Sequence, residues 1–125
     1  MARATRSKPQ RGRAAAKAKP AAELVRAFAE RGYVRVRAPR TTQQGATSHK
    51  GYEVRIPVRD NAAARRLAKL IREVGFRPGK PYTAGTRVVV PVYGRAAVES
   101  FARWVRRLDR AKAERIEQKL AASTR

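Results

Sequence analysis

EVRIPVRDNAAARRLAKLI, Glu53 to Ile71, has a counterpart 34 residues further on in RVVVPVYGRAAVESFARWV, Arg87 to Val105. Val54, Ile56, Pro57 and Val58 fall on Val88, Val90, Pro91 and Val92, while Ala62, Ala63, Leu67, Ala68 and Ile71 fall on Ala96, Ala97, Phe101, Ala102 and Val105. In each copy the apolar residues first alternate and then recur at intervals of three and four, the change from a pleated strand to a helix. The two copies predict two strand-helix units related by pseudo-symmetry. Helical solenoids share such a period, but their repeats contain no Val-rich strand.

Upstream of the first copy, AAELVRAFAERG (21–32) predicts a short helix. Pro20 lies near its first turn, Leu24, Val25 and Phe28 share one side, and Gly32 stops it. Ala21, Ala22, Ala27 and Ala29 allow close approach of another backbone, so a homodimer through helix 21–31 is expected. YVRVRAP (33–39) then alternates, with Val34, Val36 and Ala38 on one face and Tyr33, Arg35 and Arg37 on the other. The polar stretch 40–51 reads as a long hairpin loop, whose Gln43, Gln44 and Lys50 are candidate hydrogen-bonders to nucleic acid.

In the next strand Val54, Ile56 and Val58 oppose Glu53, Arg55 and Arg59. Asp60 is a suitable N-cap for the helix that follows, Gly75 its stop, and Phe76 is placed to close its end. A weak strand is expected from Phe76 to Tyr82, a turn at Ala84 and Gly85, and a strong strand from Arg87 to Tyr93. The last core helix carries Val98, Phe101, Ala102, Val105 and Leu108 as its stripe, and residues 109–125 continue helically, as an extension or as a separate short helix, with Ile116 and Leu120 as anchors.

The expected fold class is α+β, αββαββα: one antiparallel four-stranded sheet with helices on one face. A basic disordered arm (1–20) precedes it and a helical extension (109–125) follows. Proline cannot donate to a ladder, so Pro57 and Pro91 predict that the second and fourth strands are outermost, in the order 2-1-3-4. Helices would cover the valine face. The opposite face would present Arg35, Arg37, Arg55, Arg59, Arg77 and Arg87, with Tyr33 and Tyr93 among them.

Charge gives this face its meaning. The 125 residues hold 31 Lys and Arg against 9 Asp and Glu, for a net charge of +22. Residues 1–20 contain seven cations and no acid, and residues 21–108 contain nineteen against six, so the folded part is itself basic. Such a surface repels itself when bare and predicts a polyanionic partner. Nucleic acid is the expected partner, duplex DNA first and structured RNA second, and no membrane is expected. The arm, with Arg11 and Arg13, would be a phosphate clamp too poor in apolar residues to fold alone. With no cysteine there is no disulfide and no thiolate site. No apolar run reaches the length of a membrane span, and the N-terminus lacks a signal-peptide core, so a cytoplasmic place near the nucleoid or a ribonucleoprotein is expected.

The order of elements, with LVRAFAERGYVRV in front and GYEVRI, IREVGF and VESFARWV behind it, resembles a single-motif LAGLIDADG homing endonuclease domain over residues 21–108. The resemblance implies that Leu24 to Gly32 is the motif helix, that this helix pairs in a homodimer, and that the sheet cradles DNA. It also implies a metal-binding acid just before the glycine, where this chain has Arg31; Ala29 holds the earlier acidic position and Glu30 is one residue out of register. A guanidinium there repels Mg²⁺, which argues against cleavage and for a non-catalytic binder with no metal or cofactor. Intron-splicing or ribosome-associated RNA binding is the alternative within nucleic-acid recognition, and an altered nuclease using Glu30 is the enzymatic alternative. With one histidine, no phosphate-binding glycine loop and no nucleophile-base pair, no other enzyme class is indicated.

Overall fold

The computed structural model of the chain describes residues 19–36 and 51–123. The arm up to residue 18, Arg11 and Arg13 included, and residues 37–50 with Arg37, Gln43, Gln44 and Lys50 lie outside the described residues. The elements are α1 (Ala22–Arg31), β1 (Tyr33–Val36), β2 (Tyr52–Val58), α2 (Asn61–Glu73), β3 (Tyr82–Ala84), β4 (Arg87–Tyr93), α3 (Arg95–Val105) and α4 (Arg110–Ser123). The four strands form one antiparallel sheet, in an α+β arrangement as expected.

The strand order is β1-β2-β4-β3, so the two proline-bearing strands are central and not outermost. The reason lies in the pairing. Arg55 is opposite Pro91, and Pro57 is opposite Val89. Gly79 N–H donates to Pro91 C=O at 2.7 Å, and a strand residue points its nitrogen and its carbonyl to the same side, so the imino nitrogen of Pro91 faces away from β2. By the same alternation Pro57 faces β1, at a level beyond Tyr33, where β1 begins. Neither proline interrupts the β2–β4 ladder. Proline excludes a hydrogen bond on one side of a strand only, and in both strands that side faces away from the β2–β4 pairing.

The 34-residue offset appears in the register. Ile56 pairs directly with Val90, its own counterpart, so the pseudo-two-fold axis passes between them. The pair Arg55–Pro91 maps onto Val89–Pro57 under the same operation. At the edges Tyr33 pairs with Arg55 and Tyr82 with Val89, which makes Tyr33 and Tyr82 equivalent positions of the two halves. The helices follow the pattern: α2, which leaves β2, packs on β4, and α3, which leaves β4, packs on β2.

All four helices pack into one core with the valine face. Val54, Ile56, Val90 and Val92 are buried, with Val34 beside them and Val36, Val58 and Val88 partly covered. Edge-to-face aromatic contacts run through it from Phe28 to Phe101 (ring centroids 5.1 Å), from Phe101 to Trp104 (4.8 Å) and from Trp104 to Phe76 (6.2 Å). The Asp60 carboxylate accepts from Ala63 N–H at 2.9 Å and caps α2. Gly75, at φ 98°, closes α2 by letting Phe76 N–H reach Ile71 C=O and its own N–H reach Arg72 C=O. Gly32 ends α1 for another reason: its backbone is extended, and a Cβ there would overlap the Phe28 ring.

Two expectations fail locally. The segment 76–81 is not a strand: only Pro78 bridges to Val92, and β3 begins where the expected strand would end, because Pro78 and Pro81 lack ladder donors. Leu108 is 58% exposed in the turn after α3 and leaves the stripe. Of the small residues behind the expected homodimer, Ala21, Ala27 and Ala29 are partly buried against the chain's own core and Ala22 is exposed. Residues 110–123 form a helix of their own, which buries Ala113, Ile116 and Leu120 in that core.

Candidate nucleic-acid interface

The face of the sheet turned away from the helices is built in rungs two residues apart, roughly 7 Å each. One rung carries Arg35, Glu53 and Tyr93; the next Tyr33, Arg55 and Pro91; the third Pro57, Val89 and Tyr82; the last Ala84 and Arg87. Arg77 precedes the Pro78 bridge on the level of Tyr93, and Arg59 follows β2 on the level of Arg87. The expected arginine comb is therefore divided. Arg35 and Arg77 stand at one end, Arg59 and Arg87 at the other, and the centre is not a row of arginines.

At the centre Arg55 is committed. Its Nε donates to Glu53 Oε2 at 2.9 Å and its Nη2 to Glu53 Oε1 at 3.1 Å, a bidentate pair between neighbours on one face of a strand. Glu53 is buried. Hydrogen bonding to Glu53 holds the guanidinium above its ordinary pKa; burial opposes this, and the Tyr33 hydroxyl adds to it. The Arg55 guanidinium also lies 5.9 Å from the centroid of the Tyr82 ring. Burial raises the Tyr82 phenol above its usual pKa, and the Arg55 charge opposes that shift.

Three rings surround this pair. Tyr33 is 43% exposed, Tyr93 43% and Tyr82 37%. Beneath them Pro91 and Val89 are buried although they lie on the outer face. Gly79 lets the segment after Pro78 run against Tyr93, since a Cβ at this position would come within 2.6 Å of Tyr93 Cε2 and 3.1 Å of Pro91 Cγ. The middle of the face is thus aromatic and close to neutral.

Elsewhere the acids are spent locally. Glu23 pairs with Arg66, Glu73 with Lys69, Glu99 with Arg95, and Glu114 and Glu117 with Arg106. Asp60 and Asp109 cap helices. Arg35, Arg59, Arg77 and Arg87 make no ion pair among the described residues. Glu30 and Arg31 are exposed at the end of α1, and among the described residues no group of three or more His, Cys, Asp or Glu could hold a metal ion. No described helix is long and apolar enough to cross a membrane.

Of the expected site residues, strand pairing puts Tyr33, Arg35, Arg55 and Arg87 on one face, with Arg77 and Arg59 just beyond paired positions at its two ends. Sequence reasoning missed Tyr82, which joins them by equivalence with Tyr33, a relation carried only by the strand pairing. The Glu53–Arg55 pair is signalled in the sequence by the position of Glu53 two residues before Arg55 on the same strand face. Val89 and Pro91 were legible from the alternation in β4, which puts them opposite Val88, Val90 and Val92.

Comparison of the chain with protein-family models, with curated proteins and with solved structures found no match.

Proposed function

We propose that this protein is a non-catalytic nucleic-acid-binding module whose site is the outer face of the sheet. The observation that carries the reading is the pair of arginine groups at opposite ends of one open face, Arg35 with Arg77 and Arg59 with Arg87, none of them paired with an acid among the described residues, while six of the nine acids of the chain pair with other cations. Guanidinium forks bind phosphate oxygens bidentately, and two such groups about 20 Å apart follow a backbone for several phosphates. The resemblance to a LAGLIDADG-like αββαββα domain supports the same face, because that family cradles DNA on its sheet. The strand order 1-2-4-3 replaces the one expected from the prolines. The arm adds five further cations within residues 1–13 as a clamp on neighbouring phosphates.

The test is a titration of the full chain against DNA and RNA oligonucleotides at a series of salt concentrations, with polyglutamate as an anionic control. The affinity for nucleic acid is expected to fall linearly with salt on logarithmic axes. Arg35→Ala with Arg87→Ala should reduce the slope by about 1.5, near 0.7–0.9 for each phosphate no longer neutralised. An unchanged slope, or polyglutamate binding as tightly as nucleic acid, would overturn the assignment.

A further inference from the structure

Resting on that reading, we infer that the ligand of this face is a nucleic-acid segment with unpaired bases, stacked on a strip formed by Tyr33, Arg55 and Tyr82. Phosphate recognition accounts for the two cationic ends but not for the centre. A duplex keeps its bases inside and offers a surface of sugars and phosphates. Laid across this face, it would set phosphates over rings and over a guanidinium whose charge Glu53 already neutralises. To serve a phosphate, Arg55 would have to leave a buried carboxylate unpaired.

Unpaired bases fit the same centre. Each has a π-face, which stacks on tyrosine and on the plane of a guanidinium without regard to sequence. Tyr33 and Tyr82 come from equivalent positions of the two halves and flank Arg55 from opposite edges of the sheet. The strip is also held in place: the Glu53 carboxylate fixes the guanidinium, and Tyr82 lies against it. A platform ordered before binding loses little conformational freedom when a base arrives. The arrangement divides the work between rings for bases in the middle and arginines for phosphates at both ends. A second copy of this chain is a poor occupant of the same face, because each copy carries a net charge of +22.

The test is competition binding of the full chain at fixed salt. The ligands are an unstructured single-stranded oligonucleotide in ribo and deoxyribo forms, its duplex, and an abasic oligomer with the same number of phosphates. Single strands are expected to bind at least about ten-fold more tightly than the duplex or the abasic oligomer. Tyr33→Leu and Tyr82→Leu should each remove about ten-fold of single-strand affinity, with the salt slope unchanged and with Phe at either position restoring affinity. A ribo preference would place the ligand in RNA, and equal binding of both sugars would leave the bases as the recognised element; both support stacking. Duplex binding equal to single-strand binding, with leucine variants that behave as the parent and a salt slope that persists, would overturn the base-stacking inference alone. A chain that binds no nucleic acid would overturn the phosphate reading beneath it.

Discussion

Arg55 sets the chemistry of the outer face through its partner. Glu53 is buried, and its two oxygens are both occupied by the one guanidinium. Removing a single partner of such a pair strands the other, and the cost is dominated by the buried charge left behind. Arg55→Met is therefore expected to destabilise the protein by about 3 kcal/mol. Glu53→Gln combined with Arg55→Met should cost clearly less than that single change, because no charge remains to be stranded. Urea midpoints of the two single variants and the double variant check this as a thermodynamic cycle. A second readout is independent of stability: with the Arg55 charge gone, the Tyr82 phenol should titrate still higher, since that charge now opposes the effect of burial. An ultraviolet titration of the tyrosines in a folded Arg55 variant would show the shift, and its absence would separate Arg55 from Tyr82.

Among the elements, α4 shows how a polar residue can fasten a helix. Lys112 donates from Nζ to Phe28 C=O at 2.9 Å and to Ala29 C=O at 3.1 Å, and lies 5.0 Å from the centroid of the Phe28 ring. Those carbonyls belong to the last turn of α1, where the helix dipole favours a cation. Lys112→Met keeps the aliphatic stem but removes both bonds and is expected to cost about 1–2 kcal/mol at neutral pH. Burial lowers the pKa of the ammonium, whereas the unfolded chain keeps the ordinary value. Between the two values the unfolded chain holds more protons, so stability attributable to Lys112 rises as pH rises through this window and is lost again as pH falls. The gap between parent and Lys112→Met should accordingly widen as pH approaches the ordinary lysine value, measured as the difference in urea midpoints. A constant gap would show that burial of the charge plays no part.

The elements also show what the sequence could and could not disclose. The valine face, the Asp60 cap and the Gly75 stop depend on neighbours within a few residues, and they stand where the periodicity and cap chemistry put them. The strand order depends on which side of a strand each missing proline donor faces, and a single chain position does not specify that side. Tyr82 lay hidden for a related reason. Its strand is three residues long between proline-bearing and glycine-bearing segments, too short for alternation to reveal which face it occupies. Lys112 reads in sequence as one more exposed cation, and only the packing of α4 on α1 brings it to a helix end.

At the scale of the whole molecule, the proposed base-stacking strip and the basic arm lie in different parts of the chain, so their contributions should separate in experiment. The first thirteen residues carry five Lys and Arg and no aromatic residue, which equips them to follow phosphates but not to stack on bases. Deleting residues 1–13 is expected to weaken binding to single strands and duplexes by the same factor. It should also reduce the salt slope by up to about 0.7–0.9 for each phosphate released. The ratio of single-strand to duplex affinity should stay at its parental value, because base stacking as proposed assigns that ratio to Tyr33, Arg55 and Tyr82. The Tyr33→Leu and Tyr82→Leu variants should do the reverse, changing the ratio and leaving the slope. Affinity measured for each form across a salt series reads both quantities from the same data. A deletion that abolished the ratio while keeping the slope would move recognition from the sheet to the arm, and would leave the three exposed rings without a role in binding.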